Sequence, residues 1–240
     1  MVAMTRSLFW PSLSAAIALL ILLSLGTWQL QRLAWKQDLI ASIKARSTAE
    51  PLTLEEAMRR HAAGEDVEFF PLRLRGRFDH ANEKHLYRVE KGKAGWRVFT
   101  PLRTRQGRAI MVDRGFVPDE LKAPERRKEG LLEGEREVIG QIRYAAGQGL
   151  FTPDNVPQEN IWYWPDLGAM ARESRVLQER LVPFYVEDRN KAVPGGWPRG
   201  APRSAELPNR HLEYAITWYS LALALIGVYI AYVRTALKKR

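Results

Sequence analysis

Two long stretches without a charged residue, one near each end of the chain, constrain this sequence more than any other feature. Residues 7–31 and residues 214–233 contain no Asp, Glu, Lys or Arg. A helix that rises about 1.5 Å per residue needs roughly 20 apolar residues to cross the hydrocarbon core of a bilayer. Both stretches are long enough, so the sequence predicts two transmembrane helices, over residues 8–31 and 211–233. We expect the first helix to continue outward from the membrane.

The first apolar stretch has an alternative interpretation as a cleaved signal peptide. Arg6 would be its short basic region, and residues 24–26 would form a weak small-x-small cleavage site. The apolar run is long for a signal peptide and continues directly into a helical pattern, which favours a transmembrane helix. Both interpretations export the middle of the chain.

Basic residues predict how the two helices are oriented. The segment 234–240 after the second helix carries four of them and no acidic neighbour, and Arg6 precedes the first helix. Because positive charges stay on the cytoplasmic side, segments 1–7 and 234–240 are predicted to be cytoplasmic and residues 32–210 extracytoplasmic. We therefore expect a two-pass protein of the bacterial inner membrane with a periplasmic domain. In a eukaryote the membrane would be the mitochondrial inner membrane.

Charge and sulfur content exclude several classes of function. The net charge of +10 falls to a surplus of +5 once Arg6 and the basic tail are set aside, and no basic stripe with interleaved aromatics is visible. This pattern argues against nucleic-acid binding, whereas an anionic membrane surface explains the tail. The sequence has no cysteine, which excludes disulfides, thiolate metal sites and thiol redox chemistry. No motif for hydrolysis or phosphoryl transfer is present, so we do not expect an enzyme.

The segment between the two apolar stretches has the patterning of a β-rich domain. Six stretches alternate apolar and polar residues, with short breaks between them. They cover residues 68–78, 84–90, 95–105, 108–118, 135–144 and 182–189. The predicted fold class is a membrane α+β protein, in which two transmembrane helices flank a mainly antiparallel β barrel or sandwich with short helices.

Two short helices and one loop are also predicted in this domain. Residues 53–63 begin with Thr53 and Glu56 in capping-box spacing and end before Gly64. Residues 166–174 form the second short helix. The charged stretch 121–130 is interpreted as a solvated loop.

His211, the last histidine of the sequence, lies at the start of the second predicted transmembrane helix. Pro208 and Asn209 can start and cap this helix, which places His211 in its first turn beside unpaired backbone amides. The positive end of the helix dipole disfavours imidazolium there, so we expect the neutral imidazole that can ligate a metal. The alternative is an interfacial histidine that only satisfies the helix end.

The two helix ends that face the extracytoplasmic side should bring further residues close to His211. Trp28, Gln29 and Arg32 lie where the first helix leaves the membrane. An indole and a snorkelling guanidinium are favoured at such an interface on general grounds, and this is the simplest account of Trp28 and Arg32. The functional alternative is that these side chains converge on His211.

A flat apolar ligand with carboxylate groups could lie between the two helix ends. Tyr214 and Trp218 have helical spacing to His211 and are predicted to share its face. We expect the ring of such a ligand to be lined by Trp28, Tyr214 and Trp218, with Arg32 or Arg210 pairing its acids.

The loop at residues 151–167 contains three consecutive aromatic residues, Trp162, Tyr163 and Trp164. Aromatic residues in a loop indicate either a surface that binds a protein or rests on the membrane, or burial over the end of the barrel. The sequence favours neither.

Six blocks, in this order, resemble the Surfeit locus protein 1 family over essentially the whole chain. Glu213 and Ser220 depart from the family pattern, where Gln and Gly are frequent. The blocks are GTWQLQRLAWK (26–36), RGRFDH (75–80), MVDRGFVP (111–118), PDNVPQENIWYWPDL (153–167), PGGWPRG (194–200) and NRHLEYAITWYSLAL (209–223).

The resemblance implies a biogenesis factor for haem-copper terminal oxidases. Members of this family are regarded as assisting assembly of oxidase subunit I at the haem a insertion stage, and bacterial members are associated with haem a binding through the histidine that matches His211. It implies that His211 is an axial ligand of the haem iron, and that oxidase subunit I and other assembly factors are partners. The alternative is a scaffold without a cofactor, in which the barrel and the aromatic loop bind the nascent subunit.

Overall fold

The computed structural model describes residues 2–189, 193–200 and 209–238, with side chains from Leu8 onward. The chain divides into two compact units. One unit contains the two long terminal helices, and the other contains the domain that begins at Ile43.

Both terminal helices are longer than their apolar stretches. Helix α1 covers Val2–Ser47 and helix α4 covers His211–Lys238. Each is long and apolar enough to cross a membrane. The apolar stretch of α1 and the helical pattern that follows it therefore form one continuous helix.

Seven strands form one sheet in the second unit. They are β1 (Pro71–Phe78), β2 (Lys84–Glu90), β3 (Lys93–Thr104), β4 (Ala109–Pro118), β5 (Glu135–Arg143), β6 (Ile161–Trp162) and β7 (Tyr185–Asp188). The hydrogen-bonded order is β1-β5-β7-β4-β3-β2-β6, and a further antiparallel pairing joins β1 to β3. Strands β1, β5, β7, β4 and β3 thus close into a five-stranded barrel, while β2 and β6 extend the sheet beyond it. The predicted fold class is confirmed.

The interior of the barrel is filled by alternating apolar side chains of these strands. In β1, residues Leu72 and Leu74 are fully buried, whereas Arg73 and Arg75 between them are exposed. The same core includes Ile110 and Val112 of β4 and closes around Phe184 before β7. Inward-facing branched side chains are what a small barrel needs to fill its interior.

Strand bounds differ from the prediction at several ends, as in β7, which begins at Tyr185 rather than at residue 182, and two further differences have a clear structural reason. Seven strands form rather than six, because the two-residue strand β6 pairs in parallel with β2 at His85 and Leu86. Strand β1 begins at Pro71 rather than at residue 68, because Phe69 has a φ of 72° and cannot continue an extended strand.

Both short helices of the domain are capped by the residues that the sequence indicates. Helix α2 covers Leu54–Ala62, and the Thr53 hydroxyl accepts a hydrogen bond from Glu56 N at 3.2 Å. The Glu56 carboxylate does not complete the capping box, because it pairs with Arg59 and with Arg60. Helix α3 covers Leu167–Glu173, and Asp166 accepts a hydrogen bond from Ala169 N at 2.9 Å.

The interpretation of residues 121–130 as a solvated loop is wrong in part. A 3-10 helix over Pro124–Gly130 forms there, and Arg127 within it is buried. Its guanidinium pairs with the buried carboxylate of Glu83, so the charge lies inside the domain rather than in solvent.

Candidate functional site

Helices α1 and α4 pack directly against each other through small and aromatic residues. Gly26 of α1 lies under the ring of Tyr219, and a Cβ atom at this position would come within 2.9 Å of the ring. Ala215 and Ala222 of α4 are buried. Small residues at helix contacts allow this close approach inside a membrane.

Three polar pairs set the register of the two helices. Tyr229 and Ser12 hydroxyls lie 2.5 Å apart, and Tyr219 and Thr27 hydroxyls lie 3.1 Å apart. Both the serine and the threonine donate to carbonyls of their own helix, so each tyrosine is the donor. The third pair joins Gln29 and His211. Together these pairs show that α1 and α4 run antiparallel.

The third pair is the core of the candidate site. His211 Nδ1 lies 2.8 Å from Gln29 Oε1, and the Gln29 side chain is buried. An amide oxygen only accepts hydrogen bonds, so Nδ1 carries the proton and donates it. In the tautomer with its proton on Nδ1, the lone pair lies on Nε2, which makes no hydrogen bond within the described residues. A histidine that ligates a metal is typically held in this way by its second nitrogen.

The aromatic and basic residues predicted around His211 do not all face it. Trp218 is half-buried, and its indole Nε1 is buried without a hydrogen-bond partner in the described part of the chain. Trp28 and Tyr214 are 53% and 54% exposed, so they lie on the outer surface of the helix pair. Thus Trp218 lies in part against the contact between the helices, whereas Trp28 and Tyr214 do not.

The basic residues of the predicted site lie outside this contact as well. The Arg32 guanidinium stacks on the ring of Trp35 at 3.8 Å, and Arg210 is exposed. Both side chains remain accessible to an anionic group.

The prediction that Asn209 caps α4 is wrong. Its side-chain oxygen has no hydrogen-bond partner in the described part of the chain. The first bond of the helix runs from Tyr214 N to Arg210 O at 3.2 Å, so Arg210 occupies the capping position. Pro208 lies outside the described residues. His211 is nevertheless the first helical residue, as expected.

The contact between the helices decides where a porphyrin could lie. Gln29 touches His211 and Gly26 touches Tyr219, so a flat ring does not fit between α1 and α4 in this arrangement. The donor set suits haem in another respect, because one imidazole nitrogen remains without a partner in the described chain. If haem binds, His211 would hold its iron outside the contact between α1 and α4.

A second polar cluster lies inside the barrel domain and was not indicated by the sequence. Glu83 accepts hydrogen bonds from His85 Nε2 at 2.8 Å and from Arg127. Burial by itself would raise the pKa of Glu83, but the His85 hydrogen bond and the Arg127 charge lower it below the ordinary value. Asn160, with a φ of 54°, donates to the Glu83 carbonyl and accepts from Trp162. The cluster thus ties the aromatic loop to β2.

Burial of the aromatic loop settles one question that the sequence left open. Trp162 is fully buried and packs with Phe99, Met111 and Met170 on the outer side of the barrel. Tyr163 and Trp164 are half-buried. Trp162, Tyr163 and Trp164 therefore cover the barrel, whereas Phe151 at the start of the same loop is exposed.

A third cluster gathers three carboxylates around one arginine. Arg97 pairs with Asp113 at 2.5 Å and with Glu90 and Glu187 at 3.1 Å each. Burial, together with the negative charge of Asp113, raises the pKa of Glu187 above its ordinary value. The neighbouring Tyr185 is half-buried, and removal of its hydroxyl from water raises its pKa to about 12.

The fold and the helix contacts define a class of protein in which two antiparallel helices, each long and apolar enough to cross a membrane, flank a closed five-stranded barrel in the sequence. Comparison with known proteins identifies the family of this chain. The SURF1 family model matches residues 16–223, and the chain belongs to the SURF1 family.

Several relatives are similar over most of their length. Surfeit locus protein 1 of Homo sapiens is 36% identical over 218 residues, which cover 83% of this chain and 70% of the human protein. The protein of the same name from Rattus norvegicus is 35% identical over 217 residues, covering 83% and 68%. A SURF1-like protein of Rickettsia felis is 28% identical over 232 residues, covering 94% of this chain and 98% of that one.

Proposed function

We propose that this protein is a non-enzymatic assembly factor for a haem-copper terminal oxidase and that it holds haem a for insertion into oxidase subunit I. Membership of the SURF1 family and the two apolar helices support the assembly role. The single observation that carries the haem proposal is the hydrogen bond from His211 Nδ1 to Gln29 Oε1, which leaves Nε2 as a ligand.

The roles of the surrounding residues follow from their positions. Trp28 precedes Gln29 on α1 and Tyr214 lies about one turn after His211 on α4, and their exposed rings would offer apolar aromatic surface to a ligand ring. Trp218 supports the helix contact and carries an indole N–H without a partner in the described residues. Arg210 immediately precedes α4, and Arg32 lies about one turn beyond Gln29 on α1, so both would supply charge for the propionates. When bound, haem a would supply the iron that His211 ligates.

Absorption spectra of the purified protein test the proposal. Wild-type protein from cells that make haem a should show a Soret band, and His211→Ala should lose it. His61→Ala is the matched control, since His61 belongs to the barrel domain, where its Nδ1 contacts the Tyr144 hydroxyl at 3.2 Å. This control should keep the band.

A cofactor-free scaffold is the competing function. The direct contact between α1 and α4 favours it, because no space for a porphyrin exists between these helices. A colourless wild type that still co-purifies with oxidase subunit I, with His211→Ala co-purifying equally well, would establish the scaffold and reject the haem carrier.

We further propose that the protein is a two-pass protein of the bacterial inner membrane, with both termini in the cytoplasm and the barrel in the periplasm. The basic residues that follow α4 support this orientation. Alkaline phosphatase fused after Arg240 should be inactive, and green fluorescent protein at the same position should fluoresce. The reverse pattern would overturn the orientation.

A further inference from the structure

Two large apolar side chains project into solvent from one turn of the barrel domain. Leu150 is 91% exposed and Phe151 is 95% exposed, more than any other large hydrophobic residue in the described chain. The backbone N–H of Thr152 donates to the Gly149 carbonyl at 3.0 Å. This bond closes a turn in which Leu150 and Phe151 occupy the two central positions. The turn therefore points both side chains away from the domain.

Hydrogen bonds from a neighbouring side chain support this turn. Gln148 Nε2 donates to the Thr152 carbonyl at 3.0 Å and to Asp154 Oδ1 at 2.9 Å. These bonds brace both sides of the turn and hold the two apolar residues at its tip. The exposure of Leu150 and Phe151 is thus a feature of an ordered turn.

The segment that carries the tip is uncharged up to Asp154, which accepts the hydrogen bond from Gln148. Residues 144–153 contain no Asp, Glu, Lys, Arg or His, although 27% of the whole chain is charged. A segment without ionised side chains avoids the cost of removing charge from water. Aromatic and aliphatic residues together are favoured at the boundary between lipid headgroups and acyl chains. The composition of this turn therefore matches a lipid interface.

The position of the domain in the chain places it near a bilayer. The domain follows α1 and precedes α4, and both helices are long and apolar enough to cross a membrane. A tethered domain experiences a high effective concentration of the surface to which it is tethered, so a small contact is sufficient for attachment. A specific protein complex, in contrast, commonly buries about 1,200–2,000 Å². Two side chains at a turn do not supply such an area.

We propose that the turn 149–152 inserts Leu150 and Phe151 into the lipid interface and forms a third membrane attachment of the protein. This proposal rests on the two membrane helices and is independent of haem binding. Its consequence is that the barrel domain is held against the bilayer by a contact of its own. The partner is the lipid surface itself, rather than a protein.

Site-directed spin labelling can test this contact, because the chain contains no cysteine. Phe151→Cys in the full-length protein would carry a nitroxide in vesicles of phosphatidylcholine and phosphatidylglycerol. Collisions with oxygen, which concentrates in lipid, are compared with collisions with a water-soluble nickel chelate. Leu223→Cys, 71% exposed on α4, provides the lipid reference. Lys91→Cys, exposed at the turn between β2 and β3, provides the aqueous reference.

We expect the Phe151 label to collide more often with oxygen than with the nickel chelate, with a ratio of the two collision rates closer to that of the Leu223 label than to that of the Lys91 label. A Phe151 ratio equal to that of Lys91 would overturn the proposal. A Phe151 label that becomes shielded only in native membranes, and not in vesicles of purified protein, would also overturn it and would identify a protein partner instead. Circular dichroism before and after labelling checks that each variant retains its fold.

Discussion

The imidazole of His211 donates its Nδ1 proton to the side-chain oxygen of Gln29, 2.8 Å away on the other terminal helix. This one hydrogen bond links the two helices at the end where α4 begins and fixes which nitrogen of the ring is free. Gln29 is therefore a positioning residue for any ligand that binds to His211.

Replacing Gln29 should weaken haem binding without removing the ligand. We expect Gln29→Leu to lose about 10–100-fold in haem a affinity, because the ring of His211 loses its orienting partner. Gln29→Glu should retain the affinity, since a carboxylate also accepts the Nδ1 proton. Titration of the purified protein with haem a, followed by the Soret band, measures both.

Gln31→Leu is the matched control, because this side chain is exposed on the same helix. It should bind as wild type does. Wild-type affinity in Gln29→Leu would mean that Gln29 only packs between the helices. A wild type that binds no haem a would instead contradict the proposed function itself.

Gly26 should be essential for the pairing of α1 and α4. A side chain at this position meets the Tyr219 ring, and overpacking of this kind commonly costs about 1–3 kcal/mol. In a protein carrying Ser12→Cys and Tyr229→Cys, we expect Gly26→Leu to reduce cross-linking by a short bismaleimide. Gly227→Leu is the control, since no atom lies within 4 Å of a Cβ there. Equal cross-linking of the two variants would contradict this role of Gly26.

Much of the fold follows from the sequence because its signals are local. Uncharged stretches predict the terminal helices, and alternation in segments such as Leu72–Arg73–Leu74 predicts the strands. Closure of the barrel is not local. It depends on the pairing of Gly76–Phe78 of β1 with Leu102–Thr104 of β3 and on the parallel pairing of β4 with β7. Neither pairing produces a periodic pattern of residues in the sequence.

The candidate site also follows from the sequence only in part. Helical spacing predicts that His211 opens α4, and topology predicts that Gln29 lies near it. Spacing does not show that Tyr214 points outward while Ala215 points toward α1, because that depends on how the helices are rotated against each other. The burial of Arg127 does not follow from the sequence for a related reason, since a charged stretch indicates exposure to solvent unless its distant partner Glu83 is known.

The buried ion pair of Glu83 and Arg127 should be important for stability. Their side chains are 3% and 2% exposed, and removal of one partner from a buried pair commonly costs about 3–5 kcal/mol. We expect Arg127→Met to lower the stability of the barrel domain by this order, measured by urea unfolding of the full-length protein in detergent. Arg105→Met is the control, because its pair with Glu135 is exposed and such pairs contribute about 0–1 kcal/mol. Equal losses in the two variants would show that the buried pair has no special role.

The same pair predicts a loss of stability in acid. The pKa of Glu83 is lowered in the folded protein, because His85 and Arg127 outweigh the effect of burial. Its contribution is therefore present above the pKa of the unfolded chain and is lost as the pH falls through the folded-state pKa. We expect Glu83→Gln to be much less stable than wild type at pH 7, with the difference narrowing below about pH 4. A difference that stays constant between these conditions would exclude this linkage.

Glu187 should show the opposite dependence on pH. Three carboxylates share Arg97, and burial together with the charge of Asp113 raises the pKa of Glu187 in the folded protein. A group of this kind contributes stability that is complete below the pKa of the unfolded chain and is lost as the pH rises through the folded-state pKa. Glu187→Gln removes this loss. The melting temperature of the variant should therefore rise relative to that of wild type between pH 4 and pH 8. Each kcal/mol of stability that the variant does not lose corresponds to roughly 2–4 °C at this chain length.

Glu133→Gln removes an exposed carboxylate of the same domain, so its melting temperature should follow that of wild type throughout. If Glu187→Gln instead falls further below wild type as the pH rises, the ionised carboxylate stabilises the cluster, and Arg97 requires all three of its partners.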